Sequence, residues 1–215
     1  MSVPAKICGL ATAEAIGVAI DNGAAMLGFV FYPPSPRALG LAHAGALAGA
    51  VPAGIDKVGL FVDADDATIG ATLAAVPLDL LQLHGGESPA RVAALKAKFK
   101  LPVIKAIALA SAEDLARASR FDGVADWLLF DAKAPAERAD TLPGGNGLAF
   151  DWQLLAGRQF RRPWLLSGGL NADNLAEAVR TSGAPAVDVS SGVERAPGVK
   201  DPGRIAAFLS IANSL

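Results

Sequence analysis

Eight short apolar runs recur along the 215 residues, each giving way to a stretch with helical spacing, and that alternation constrains the fold more than any other feature. The runs are 5–8, 26–31, 57–62, 78–83, 103–107, 127–131, 164–167 and 186–190, most of them bounded by Gly, Pro or Asp. Alanine-rich helical patterns between them include 12–22, 67–75, 89–99, 112–118, 172–180 and 202–213. Ser88-Pro89 and Asp201-Pro202 each read as an N-cap followed by proline at the first helical position. The strands are too apolar for one face to meet water, so both faces must be covered. The reading is a single (β/α)₈ barrel of class α/β over residues 1–215. A doubly wound open sheet would need fewer strands and usually a Gly-x-Gly-x-x-Gly turn after the first, which the chain lacks.

Two glycine-rich turns point to a ligand. LLSGGL at 165–170 and VDVSSGVE at 187–194 each start as a buried strand and break into small residues. The N–H groups of Gly168, Gly169, Ser191 and Gly192, with Ser190 beside them, can approach an anion closely, and a following helix N-terminus adds a favourable dipole. Two such turns, roughly twenty residues apart, match the phosphate site that a barrel builds after its last two strands. The expected partner is a phosphorylated small molecule. A net charge of -2 without blocks of like charge argues against nucleic acid, and no apolar run reaches membrane-spanning length. Cys8 is the only cysteine, so no internal disulfide forms, and the start of the chain lacks a secretory apolar segment. A cytoplasmic protein is expected, as a monomer or a homodimer.

Reactive groups of a barrel sit at the C-terminal ends of its strands, so they can be read off. The first strand ends in Cys8-Gly9, the second leads to Ser35-Pro36-Arg37, the third ends at Asp63, the fourth in Gln82-Leu83-His84 and the sixth in Asp131. No repeated His, Cys or carboxylate spacing suggests a metal. Cys8 reads as a catalytic thiol or simply a packed one. Asp131 reads as a turn-forming residue or, after the apolar Leu128-Leu129-Phe130, as an acid that keeps its proton. Arg37 follows a stiff proline-rich loop suited to bidentate grip on a carboxylate. His84 reads as a structural hydrogen-bonder at the substrate pocket, Asp63 as a cap of the next helix, and Asp188 as a strand residue of undecided orientation. The long stretch 132–148, with Gly144, Gly145 and Gly147, is expected to close over a ligand.

Taken in order, KICGL, SPR, VGLFV, LQLHG, LFD, GGNG with FDW, LLSGGL and VDVSSGVE with PGVKD make the chain resemble the phosphoribosylanthranilate isomerases of tryptophan biosynthesis, from first strand to last helix. The resemblance implies a cofactor-independent Amadori rearrangement of N-(5-phosphoribosyl)anthranilate to the 1-deoxyribulose phosphate. It implies Cys8 as general base and Asp131 as general acid, with Arg37 on the anthranilate carboxylate. The phosphate would lie on the turns at Gly168-Gly169 and Ser191-Gly192 under the 144–147 loop. Asn146, Ser167, Ala11 and Ala13 depart from the family's usual residues.

Those two residue types suit the chemistry. Ribose opening needs a proton on the ring oxygen as the C1′–O bond breaks, and the resulting iminium acidifies C2′–H enough for a thiolate of ordinary pKa near 8.5 to remove it. Lys6 lies two residues from Cys8 along a strand, a spacing that suits the same face, and the source of the base's activation is left open by the sequence. Two alternatives are a histidine-pathway sugar-phosphate isomerase, which uses an aspartate where Cys8 stands, and a barrel that binds phospholigands without catalysis.

Overall fold

Side chains on a strand alternate between its two faces, and in this chain both alternating sets are apolar for most of each strand's length. A computed structural model describes residues 2–121, 123–133, 144, 145 and 147–215. Its strands β1 (Ala5–Cys8), β2 (Met26–Val30), β3 (Asp56–Phe61), β4 (Leu80–Leu83), β5 (Val103–Leu109), β6 (Trp127–Ala132), β7 (Trp164–Leu166) and β8 (Val187–Val189) pair in sequence order into a closed parallel barrel. Closure runs through Ala5↔Val187, Lys6↔Asp188 and Ile7↔Val189.

One alternating set packs outward under the helices, with Ile7, Phe29, Phe61, Leu81 and Phe130 in the larger core. The other set plugs the barrel: Met26, Val58, Leu80, Ile104, Leu129, Leu165 and Ala186 form a separate inner cluster. Continuing β4, β6, β7 and β8 by two residues toward their C-terminal ends turns this inner set polar, while β2 and β3 keep it apolar with Val30, Leu60 and Val62. Leu80 leads to Gln82 and His84, Leu129 to Asp131, and Ala186 to Asp188 and Ser190. The apolar plug therefore forms the floor of the site.

The helices are α1 (Ala13–Asp21), α2 (Leu41–Gly49), α3 (Asp66–Ala75), α4 (Pro89–Phe99), α5 (Ala112–Ala118), α6 (Leu175–Ser182) and α7 (Pro202–Ser214). Ser88 and Asp201 cap α4 and α7 as the sequence predicts, accepting from Arg91 and Arg204 N–H groups. The cap of α3 is Asp65 rather than Asp63. Asp63 sits at φ 47, and its carboxylate turns back to accept the Gly86 N–H at 2.8 Å. Helix α2 carries two glycines and no side-chain cap, so its sequence signal is weak. Gly45 is required there, because a Cβ would lie 2.6 Å from the Ala75 carbonyl of α3.

After β6 the described residues hold only a 3₁₀ turn, Trp152–Leu155, where the other strands have helices. After β8 the chain makes a 3₁₀ turn at Ser191–Val193 and a small hairpin, β9 (Glu194–Ala196) with β10 (Val199–Lys200), before α7 begins. The helix expected directly behind the eighth-strand turn is thus displaced by the hairpin. No described helix is long and apolar enough to cross a membrane.

Candidate active site

A cavity of about 750 Å³, counting the open space at its mouth, lies over the C-terminal ends of the strands. Cys8, Arg37, His84, Asp131, Asp188 and Ser190 all line it. So do Gly144, Gly145, Gly147, Gly168, Gly169 and Ser191. Gly192 alone of the sequence-predicted set does not. Its Cα is pressed against the β7 turn, where a Cβ would stand 1.8 Å from the Leu170 carbonyl. Gly192 therefore allows the two glycine-rich turns to meet. Residues 134–143 and Asn146, on which the expected loop closure depends, lie outside the described residues.

Cys8 ends β1 opposite Gly28 of β2, and a Cβ at Gly28 would come within 2.9 Å of Sγ, so the missing side chain makes room for the thiol. Burial pushes the Cys8 thiol above its ordinary value, with Lys6 and Lys200 pulling it down and Asp188 pushing it up. Lys6 is fully buried on the same inward face, and its Nζ pairs with Asp188 Oδ1 at 2.7 Å. Burial works against the Lys6 ammonium, but Asp188 and Cys8 together hold its pKa above the ordinary value. Asp188 Oδ2 also accepts from Ser167 Oγ at 3.0 Å, which settles its orientation as inward.

Asp131 reaches the cavity from β6, three strands from β1 by way of β7 and β8. Its Oδ1 accepts the Ala132 N–H at 2.9 Å, and Oδ2 lies 3.1 Å from His84 Nε2. Gly144 covers this pair closely: a Cβ there would be 2.6 Å from His84 Nε2 and 2.7 Å from Asp131 Oδ2. Gly168, at φ +85, brings the β7 turn against Ala132 in the same way. Asp131, His84 and the Gly168-Gly169 turn are thus packed together by missing side chains.

Arg37 is buried rather than a free fork awaiting a ligand. Its Nε and Nη2 donate to Glu194 Oε1 and Oε2 at 2.7 and 2.8 Å, and Nη2 also donates to the Gly145 carbonyl at 3.2 Å. The bidentate edge is thereby taken, and Nη1 is what remains for a ligand carboxylate. Gly9, at φ +78, lets the arginine stem pass, since a Cβ would meet Cδ at 2.6 Å. Glu194 also accepts from Lys200 Nζ at 2.7 Å, and although burial alone would raise its pKa, Arg37 and Lys200 hold it below the ordinary value. Ser190 Oγ is committed as well, donating to the Cys8 carbonyl at 3.1 Å. Gln82, Glu194 and Lys200 were not singled out from the sequence. Their signal was position alone: Gln82 is two residues before a strand-end histidine, and the other two sit in the turn sequence after the eighth strand. Among the described residues no group of three or more His, Cys, Asp or Glu is placed to hold a metal.

Barrel and cavity define the class, a (β/α)₈-barrel enzyme whose substrate sits at the carboxyl ends of the strands. Residues 5–210 match the family described as N-(5'phosphoribosyl)anthranilate (PRA) isomerase. An N-(5'-phosphoribosyl)anthranilate isomerase of Paracoccus denitrificans is 56% identical over 214 residues, covering 100% of this chain and 99% of that one. Among solved structures, a phosphoribosyl anthranilate isomerase in complex with reduced 1-(o-carboxyphenylamino)-1-deoxyribulose 5-phosphate superposes with a TM-score of 0.84 at 33% identity, covering 99% and 100% of the two chains. A structure of monomers generated from the dimeric enzyme of Thermotoga maritima gives the same TM-score, identity and coverage. The chain belongs to the N-(5'-phosphoribosyl)anthranilate isomerase family. It is accordingly an aldose–ketose isomerase of tryptophan biosynthesis.

Proposed function

We propose that the chain rearranges N-(5-phosphoribosyl)anthranilate with Cys8 as general base and Asp131 as general acid. The observation that carries this is their arrival at one cavity from β1 and β6, with the glycine turns of β7 and β8 between them. The phosphate sits on the Gly168-Gly169 and Ser191 turns, where the 3₁₀ turn starting at Ser191 leaves its first N–H groups free of partners within the turn. The anthranilate ring lies against Val30, Leu60 and Val62, with its carboxylate on Arg37 Nη1.

Asp131 gives a proton to the ribose ring oxygen as C1′–O breaks, leaving an iminium. The Cys8 thiolate then takes the C2′ proton, and its electron pair quenches the iminium to an enaminol. Ketone formation moves a proton to C1′ while the C2′ hydroxyl loses its own, so the enzyme ends with the protons it began with. The active form holds one proton between the two groups.

The lone free thiol fits a reducing compartment, and the reading includes a cytoplasmic enzyme. A homodimer, as in the Thermotoga maritima relative, is the finer expectation, and sedimentation velocity distinguishes it from one 21.8 kDa chain. The activity is tested by incubating the purified chain with N-(5-phosphoribosyl)anthranilate and following the anthranilate-group fluorescence. Enzyme-dependent loss of that signal is expected. Turnover only of the histidine-pathway substrate, or none of either, contradicts the reading.

A further inference from the structure

Asp131 has a neighbour that threatens its role. A histidine within hydrogen-bond distance of an acid can take the acid's proton and leave an imidazolium–carboxylate pair, in which the acid has nothing to donate. His84 Nε2 is 3.1 Å from Asp131 Oδ2, Asp131 is buried and His84 partly so, and Gly144 closes the space over them. What faces the other side of the ring decides whether the transfer occurs.

That group is Gln82, two residues back on the inward face of β4 and fully buried. Its amide Nε2 lies 2.9 Å from His84 Nδ1, while its Oε1 has no hydrogen-bond partner. An amide nitrogen offers only N–H donors, so Nδ1 must present a lone pair to it. A neutral imidazole with its lone pair on Nδ1 carries its proton on Nε2, which then donates to Asp131 Oδ2. An imidazolium would need a second N–H at Nδ1, pointed at the N–H of Gln82.

We propose that Gln82 is a positioning residue for the acid, holding His84 as the neutral Nε2–H tautomer so that Asp131 keeps its proton for the substrate. The inference rests on the assignment of Asp131 as general acid. With Oδ1 accepting from Ala132 and Oδ2 from His84, the carboxyl is fixed by two donors. Its acidic proton is then left on a lone pair free for the ribose oxygen. His84 orients the acid and stays out of the proton transfer.

The test has a readout that does not involve turnover. Only two histidines are present, so long-range ¹H–¹⁵N spectra of the whole chain, with His43→Gln for assignment, report the tautomer of His84 directly. The expected pattern is one protonated nitrogen at Nε2 and an unprotonated Nδ1 throughout the pH range of activity. An imidazolium or an Nδ1–H tautomer overturns the proposal, whatever the kinetics show.

Gln82→Glu replaces the donor with an acceptor for Nδ1–H and should convert His84 to the imidazolium. kcat is then expected to fall by about 10²–10⁴, the usual contribution of a positioned acid, with KM little changed. Removing the imidazole from that variant, in Gln82→Glu/His84→Asn, should recover kcat to the level of His84→Asn alone. A purely structural fault at Gln82 would not be rescued this way. Gln82→Met covers the case in which the glutamate variant fails to fold: loss of the fixed tautomer with a smaller fall in kcat is expected, and an unchanged tautomer overturns the proposal. If Asp131→Asn keeps full turnover while the tautomer is as expected, the fault lies in the acid assignment and not in the effect of Gln82 on the ring.

Discussion

Lys6→Met isolates the buried ion pair beneath the thiol. The ammonium is fully buried and 2.7 Å from Asp188 Oδ1, and Asp188 is itself only 4% exposed. Removing one partner of such a pair leaves a charge in low dielectric, which typically costs about 3–5 kcal/mol. Ser167 Oγ remains as one neutral donor to Asp188, which places the expected loss toward the lower end of that range. For a chain of this length each kcal/mol moves Tm by roughly 2–4 °C, so a fall on the order of 6–12 °C is expected at the lower end. Urea unfolding of Lys6→Met, Asp188→Leu and the double variant completes the cycle. The double variant should recover much of the loss, since an apolar pair of similar volume is often neutral or better. A single-variant cost below about 1 kcal/mol would refute the claim that the pair lies in a low-dielectric core. The same change bears on function, because Lys6 pulls the Cys8 thiol down against its burial. Without it the thiol should rise further, and kcat should fall even at temperatures where the variant is folded.

Three further outcomes follow from the geometry. Arg37→Lys loses the fork held by Glu194 and should raise KM for N-(5-phosphoribosyl)anthranilate more than it lowers kcat in steady-state assays. Gly192→Ala would set a Cβ 1.8 Å from the Leu170 carbonyl, so the two phosphate turns must separate; inorganic phosphate should then compete less well with substrate, and an unchanged inhibition constant counts against the cradle. Glu194 has its pKa held below 4.5 in the folded state, so its stabilising contribution is present above that value and is lost as pH falls through the lower folded one. Urea midpoints measured from about pH 6 down to about pH 3 should converge for wild type and Glu194→Gln only at the acid end.

The fold was legible because the strands carry two apolar faces and their order is marked by proline and glycine punctuation. Ends were less legible: β7 and β8 are only three residues long, and the predicted Ser167 and Ser190 belong to the turns beyond them. The site was legible as a set of strand-end residues, since a barrel gathers those whatever the loops do. Its electrostatics were not, because the partners lie far apart in the chain. Lys6 and Asp188 are 182 residues apart, and Arg37 and Glu194 are 157 apart. Nothing local in SPR says that the guanidinium's bidentate edge is already taken. Asp63 and Asp65 are both good cap types, and only the backbone turn at Asp63 shows which one caps α3.

The most direct measurement is kcat for purified, folded Cys8→Ala and Asp131→Asn beside wild type, with circular dichroism confirming the fold. Each variant should lose about 10²–10⁴ in kcat with a smaller change in KM, as expected when a proton-transfer group is removed from a site that still binds. Near-normal turnover in either variant would contradict the acid–base assignment built on β1 and β6.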